Sequence, residues 1–169
     1  MTSQAWVRVA RPDDIPALRA VILASGLFAP EEADSFADTL SDHFASPHKG
    51  AMWLLAGDGQ GAGYLAPETA GPGVWNLLFL GVLPTARRQG LARAIVVEAE
   101  ERLRAQGARM LLIDTSTTPL MAAARALYET LGYERVGLIP DYWGPGDGKL
   151  IFRRALQAPQ GASAANSWD

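Results

Sequence analysis

Apolar and polar positions follow two different periods along the chain, and each change of period marks an element. Residues 5–10 (AWVRVA) alternate as an edge strand does. A first helix is expected with Asp13 or Asp14 as its N-cap and with Gly26 beyond its end. A second helix opens at Pro30, and its apolar stripe is Ala33, Phe36, Leu40 and Phe44.

The middle of the chain is dominated by apolar strands. Residues 51–56 and 61–66 flank a Gly-rich turn, which is typical of a hairpin. Residues 74–83 (VWNLLFLGVL) are apolar almost throughout, which predicts a strand buried on both faces near the centre of a sheet. A helix from about Gly90 to Gln106 and a second buried strand at 109–115 follow. This strand, helix and strand are long enough for a right-handed crossover between parallel strands.

The last part of the chain predicts one more helix and two closing strands. Thr118 and Pro119 are expected to begin the helix, and Gly132 to end it; its stripe is Leu120, Ala124, Leu127 and Leu131. The strands, 133–139 and 149–156, are joined by a loop that contains PDYWGPGDG. The predicted order is therefore β-α-α-β-β-β-α-β-α-β-β.

Composition narrows the functional classes. A chain of 169 residues suits one domain with a substantial core, and the net charge of −3 argues against nucleic acid as a partner. The lack of cysteine excludes disulfides, thiolate metal sites and a cysteine nucleophile. His43 and His48 are expected at the surface, and no metal is predicted. Neither a signal peptide nor a membrane span is evident, so we expect a cytoplasmic protein with no membrane partner.

The junction between the long apolar strand and the next helix carries the most chemistry. In VLPTARRQGLARA (82–94) two arginines and a glycine stand where the helix begins. A helix N-terminus exposes unpaired N–H groups, and arginine can bind phosphate oxygens with two N–H groups. The pattern is neither a Walker motif nor Gly-x-Gly-x-x-Gly. The residues alone leave two interpretations open, a solvated turn and a phosphate site.

Two motifs in this chain resemble those of the GNAT superfamily of N-acetyltransferases. Arg87-x-x-Gly90-x-Ala92 matches the family's acetyl-CoA loop, and ARALYETLGYERVG (124–137) resembles its second motif, in the expected order. The resemblance covers about residues 5–156. It implies a single mixed α/β domain (1–156) with a central sheet of about seven strands, about four helices and splayed central parallel strands. Residues 157–169 are predicted to be a disordered tail.

The resemblance also implies acetyl-CoA as co-substrate and residues that hold it. Backbone groups of Leu80, Gly81 and Val82 are expected to pair with the pantetheine arm. The pyrophosphate is expected at the loop formed by Arg87, Arg88, Gln89, Gly90, Leu91 and Ala92. The implied reaction is direct transfer of the acetyl group to a primary amine of a small molecule or peptide. The resemblance further suggests a homodimer.

Candidate catalytic residues are fewer. Tyr128 matches the family's tyrosine that protonates the leaving thiolate, although it could also simply pack in the core. Some members carry a glutamate roughly where Asn76 stands, and an amide cannot act as a base. Asp114, at the end of the next strand, is the nearest carboxylate in sequence, either as a base acting through water or as an acceptor of backbone hydrogen bonds. Met121 replaces an asparagine that contacts the cofactor in many members.

Candidates for the acceptor side are Phe28, Glu31, Asn76, Tyr142 and Trp143. Tyr142 and Trp143 either line an acceptor pocket or cover the end of the sheet. Because Asn76 stands where some members have a glutamate and the base is not assigned, a second hypothesis is a non-catalytic module that binds acyl-CoA and regulates a partner.

Overall fold

One seven-stranded sheet organises the protein in the computed structural model, which describes residues 6–157. The strands are β1 (Val7–Val9), β2 (Met52–Ala56), β3 (Gly61–Pro67), β4 (Val74–Val82), β5 (Met110–Ser116), β6 (Glu134–Gly144) and β7 (Asp147–Ala155). The α-helices are α1 (Ile15–Ala24), α2 (Pro30–Ala45), α3 (Leu91–Ala105) and α4 (Ala122–Thr130). The predicted order of elements and the fold class are confirmed.

The strands lie in the order β1-β2-β3-β4-β5-β7-β6. β4 and β5 pair in parallel at the centre, with α3 as the crossover between them, and the other neighbours pair antiparallel. β1 is an edge strand, as its short alternating segment predicted. The continuous apolar run of β4 is explained by this central position, because both faces of the strand are covered along most of its length.

Two hydrophobic clusters cover the two faces of the sheet. α3 and α4 pack on one face, where Leu77, Ile95, Leu111 and Phe152 are buried together. α1 and α2 pack on the other face, mainly over β2, β3 and the second half of β4. Since side chains alternate along a strand, the residues of β4 and β5 that do not point to α3 point to the α1/α2 face. No helix among residues 6–157 is both long and apolar enough to cross a membrane.

The predicted long loop before the last strand is wrong. Tyr142 and Trp143 belong to β6, and the chain reverses just after Gly144. The strand accommodates Pro140 and its neighbours in a bulge, because Ile139 pairs with Lys149 and Gly144 with Asp147. Asp141 adopts a positive φ of 54° in this bulge, and its carboxylate accepts a hydrogen bond from the Gly146 N–H at 2.7 Å. The Gly- and Pro-rich composition therefore reflects a bulged strand end.

Several helix-end predictions are also corrected. Leu120 is 69% exposed, because residues 119–121 form a 3-10 turn and α4 starts at Ala122. Asp14 is the N-cap residue of α1, as predicted, but it makes no side-chain cap hydrogen bond, and its carboxylate binds Arg8 at 2.6 Å. His43 is half-buried against Phe44 and Tyr64 instead of lying free at the surface. The predicted tail lies outside the described residues except for Gln157, which donates to the Ala108 carbonyl at 3.0 Å.

Candidate active site

β4 and β5 separate in the middle of the sheet. Their parallel pairing runs from Val74 opposite Met110 to Leu77 opposite Ile113, and then stops although both strands continue. Beyond this fork, β4 pairs only with β3 on its other edge. The edge of residues 78–82 that faces β5 therefore offers main-chain hydrogen-bonding groups to a ligand, and it includes the predicted Leu80, Gly81 and Val82.

The N-terminus of α3 lies at the end of this edge. Gly90 is its N-cap in a left-handed conformation (φ 81°), and no side chain caps the helix. A Cβ at Gly90 would meet no protein atom within 4 Å. Glycine is thus required here by the backbone conformation, and the space in front of the first turn stays clear. The free N–H groups and the helix dipole together make this an anion-binding position.

The polar side chains of the junction are largely exposed, but they are not all free. Arg87 donates from Nε to the Val82 carbonyl and from Nη2 to the Ser25 carbonyl, each at 3.4 Å. These long bonds tie the junction to the end of α1. Gln89 donates to the Thr85 carbonyl at 3.4 Å, whereas Arg88 has a positive φ of 64°. Leu91 is buried and anchors the first turn of α3, and Ala92 next to it is half-buried.

Tyr128 is buried in the large hydrophobic cluster on the α3 and α4 face of the sheet, which also includes Ala86 and Leu91 of the junction. Its side chain is 2% exposed, and its ring packs on Phe152 and Tyr133 with centroid distances of 5.4 and 6.1 Å. Burial raises the pKa of the Tyr128 phenol above its ordinary value, because the charged phenolate would lose its hydration. The group is therefore protonated at neutral pH, and it is a weaker acid than an exposed tyrosine.

An open depression of about 350 Å³ lies on the α1/α2 face of the sheet, beside the fork. Asp114 and Asn76 both line it. Asp114 is paired with Lys149 at 2.6 Å, and this bond raises the pKa of the lysine. The Lys149 ammonium also lies 4.8 Å from the centre of the Tyr142 ring. The structure thus brings Asn76, Asp114 and Tyr142 together, with Trp143 stacked edge-on against Tyr142 at 5.1 Å.

Two predicted acceptor-side residues lie apart from this depression. Phe28 stacks on Phe79 at 6.2 Å and packs in the α1/α2 cluster, and Glu31 is exposed in the first turn of α2. Sequence reasoning missed two residues of the depression, Glu68 and Lys149. The predicted hairpin strand stops at residue 66, two residues before Glu68, and Lys149 is the first residue of the predicted last strand. Side chains alternate along β7, so Lys149 points to the face opposite that of the buried Leu150. This alternation was the one sequence signal for the position of Lys149.

Two buried polar atoms beside the fork have no hydrogen-bond partner, Asn76 Oδ1 and Thr115 Oγ1. They belong to neighbouring strands, with Thr115 just past the last pair of β4 and β5. Thr115 alternates with Leu111 and Ile113, so it faces α3, whereas Asn76 lines the opposite face. Buried polar groups are normally satisfied, and unsatisfied ones on both sides of the fork fit a polar ligand that passes between the strands.

Comparison with known proteins agrees with this geometry. The family described as the acetyltransferase (GNAT) family matches residues 19–133. The uncharacterized N-acetyltransferase YjgM of Escherichia coli (strain K12) is 32% identical over 107 residues, which cover 62% of this chain and 62% of that protein. The alignment thus spans less than two thirds of YjgM.

Solved structures share the fold. A GNAT-family protein from Desulfovibrio desulfuricans has a TM-score of 0.83 and 27% identity, covering 90% of this chain and 99% of its own. An aminoglycoside 6′-N-acetyltransferase complexed with coenzyme A has a TM-score of 0.75 and 19% identity, and the match covers 92% of this chain and 99% of that one. The match over most of the domain, together with the fork and the junction at α3, shows that this chain belongs to the GNAT family of acetyltransferases.

Proposed function

We propose that the protein is an N-acetyltransferase that moves an acetyl group from acetyl-CoA directly to a primary amine. The observation that carries this proposal is the fork between β4 and β5, because it opens at the uncapped N-terminus of α3. The fork leaves one edge of β4 unpaired, where the amides of an extended ligand can form main-chain hydrogen bonds. The N-terminus of α3 supplies N–H groups for a diphosphate. Coenzyme A contains both parts, and the aminoglycoside acetyltransferase of the same fold is complexed with it.

The residues proposed to hold the co-substrate fall into two groups. Main-chain groups of Leu80, Gly81 and Val82 would pair with the pantetheine amides along β4. The diphosphate would lie against the backbone of residues 87–92, where Arg88 is exposed and Arg87 stabilises the loop through its two carbonyl contacts. Leu91 acts through packing, since its side chain is buried.

The transfer needs a neutral amine and a proton for the departing sulfur. One proton leaves the ammonium group to water before the attack. The amine nitrogen then forms a bond to the thioester carbonyl carbon as the C–S bond breaks, and the nitrogen loses a second proton to water to become the amide. Tyr128 is proposed to donate its phenolic proton to the thiolate and to regain one from solvent. Because burial raises the pKa of this phenol, it is a weaker acid than an exposed tyrosine, so the proposed transfer requires direct contact with the sulfur as the C–S bond breaks. Asp114 stays a candidate base, although Lys149 occupies one of its oxygens.

Location and assembly complete the proposal. The co-substrate is a product of intracellular metabolism, which supports a cytoplasmic protein. A homodimer is supported by exposed apolar side chains on β6, which lies at the sheet edge: Val136, Leu138 and Ile139. Light scattering in solution tests the dimer. Among residues 6–157, no three His, Cys, Asp or Glu side chains come close enough to hold a metal ion.

The deciding experiment is thiol release from acetyl-CoA with a panel of primary amines, with the acetylated product identified by mass spectrometry. The proposal predicts continuous turnover that depends on the amine. A protein that binds coenzyme A in calorimetry but releases no thiol with any amine would instead be the binding module considered above.

A further inference from the structure

The depression beside the fork carries an unbalanced negative charge. Its ionisable lining residues are Glu68, Asp114 and Lys149. Asp114 and Lys149 neutralise each other at 2.6 Å. Glu68 is the one carboxylate of the lining that forms no ion pair among the described residues, although its charge also acts on the Lys149 ammonium.

Glu68 is held in place by Asn76. It follows β3, and its main-chain N–H donates to the Val74 carbonyl at 2.8 Å. Its Oε1 accepts a hydrogen bond from Asn76 Nδ2 at 3.1 Å. A carboxylate only accepts hydrogen bonds, so the amide must turn its NH₂ group to Glu68 and its oxygen away. This contact orients both side chains while no ligand is bound.

The Asn76 amide also lacks a hydrogen-bond partner for its oxygen. The residue is 6% exposed, and its Oδ1 is buried without a hydrogen-bond partner. A buried carbonyl of this kind is costly unless a donor reaches it. An N–H donor that enters between Glu68 and β5, with a small turn of the amide, would satisfy the oxygen. The chemistry that fits both groups is a cation with several N–H donors.

We infer that Glu68, positioned by Asn76, binds the ammonium group of the acceptor, and that the acceptor is a primary alkylamine without a neighbouring carboxylate. This inference rests on the proposed function. Val74, Leu112 and Ile151 supply apolar walls for an alkyl chain. A carboxylate next to the amine would be repelled by Glu68. The one lysine of the lining could not offset this repulsion, because it is already paired with Asp114.

The position suits the reaction. Asn76 directly precedes Leu77, which is the last residue of β4 paired with β5. One residue along a strand spans about 3.3 Å. An amine bound at Glu68, beside Asn76, therefore lies near the start of the fork. The co-substrate arm approaches from the α3 face and the amine from the opposite face, and the two meet where the strands part.

Binding of n-butylammonium tests this inference without turnover. The protein is saturated with coenzyme A, and the side-chain amide resonance of Asn76 is followed by NMR, assigned by its loss in Asn76→Asp. Wild type is expected to show a saturable shift, and Glu68→Gln a Kd raised by about tenfold or more. Glu101→Gln removes an exposed carboxylate of α3 and serves as the matched control. 2-Aminohexanoate and 1-butanol are expected to bind far more weakly than butylammonium.

An unchanged Kd in Glu68→Gln, or no saturation in wild type, overturns the inference. Melting temperatures of the two variants check that both remain folded. Saturable binding without thiol release from any amine would contradict the proposed function and leave the amine site standing. Thiol release with amines at equal rates in Glu68→Gln and wild type would support the proposed function and contradict the amine site at Glu68.

Discussion

Tyr128 is the residue on which the proposed chemistry of the leaving group depends. The same burial that raises its pKa also places it in a packed core, so a role in catalysis and a role in packing must be separated. The hydroxyl group distinguishes them, because the ring alone is sufficient for packing.

Tyr128→Phe is expected to lower kcat by about a hundredfold, the usual size of a lost general acid, with no change in affinity for coenzyme A. Steady-state thiol release measures this. Tyr133→Phe is the control, since Tyr133 donates to Glu100 at 2.9 Å and should lose stability while keeping its rate. A Tyr128→Phe enzyme of normal kcat would remove Tyr128 as the acid.

At the scale of elements, α3 carries a positive-φ glycine at each end. Gly90 has φ 81° at the N-terminus and Gly107 has φ 78° just past the C-terminus, and a Cβ on either would meet no protein atom within 4 Å. The backbone strain of an alanine is thus similar at the two positions, while only one of them faces the proposed diphosphate.

Gly90→Ala and Gly107→Ala are each expected to lower the free energy of unfolding by about 1 kcal/mol, the cost of a left-handed L-residue. Only Gly90→Ala should also weaken coenzyme A binding, by about tenfold, because its methyl group enters the space in front of the first turn. Calorimetry and urea unfolding give the two quantities. Equal affinities in the two variants would place the diphosphate elsewhere.

A buried carboxylate joins α3 to β7. Glu100 accepts from Tyr133 Oη at 2.9 Å and pairs with Arg104 at 2.9 Å and Arg154 at 3.2 Å. The two guanidinium groups are about a third exposed, so water can solvate them if the carboxylate is removed.

Glu100→Ala should therefore cost about 2 kcal/mol of unfolding free energy, less than the roughly 3–5 kcal/mol of breaking a fully buried pair. Urea unfolding measures this loss. Glu101→Ala, one residue along and exposed, should change it by less than about 0.5 kcal/mol. A Glu100→Ala protein as stable as wild type would show that the network contributes nothing.

The elements that the sequence predicted well are those with a strong period. Burial of β4 and of one face of α3 produces the apolar run and the four-residue spacing that predict these two elements. Gly90 marks the junction between them. The end of β6 was missed because Pro140 and Gly144 are turn residues in most contexts, and only the pairing of Ile139 with Lys149 shows the bulge. Glu68 was missed because its partner, Asn76, is brought to it by strand pairing rather than by sequence spacing.

For the whole molecule, acid is expected to lower stability in two steps. Burial lowers the pKa of His43, so the unfolded chain gains a proton first as pH falls below about 6.5. The Arg8 guanidinium lowers the pKa of Asp14 from 3.8 to about 2, so its contribution is present above pH 4 and is lost as pH falls through that range. His43→Gln should remove the first step and Asp14→Asn the second, as measured by urea unfolding at a series of pH values. A curve unchanged by both variants would contradict these assignments.

The central claim is that one ligand spans the α3 junction and the fork. A crystal structure of the protein with coenzyme A tests it most directly. We expect the diphosphate within hydrogen-bonding distance of the backbone around Gly90, the pantetheine amides on residues 80–82 and the sulfur between β4 and β5 near Tyr128. Coenzyme A bound at another surface, with the fork filled by the protein's own side chains, would contradict it.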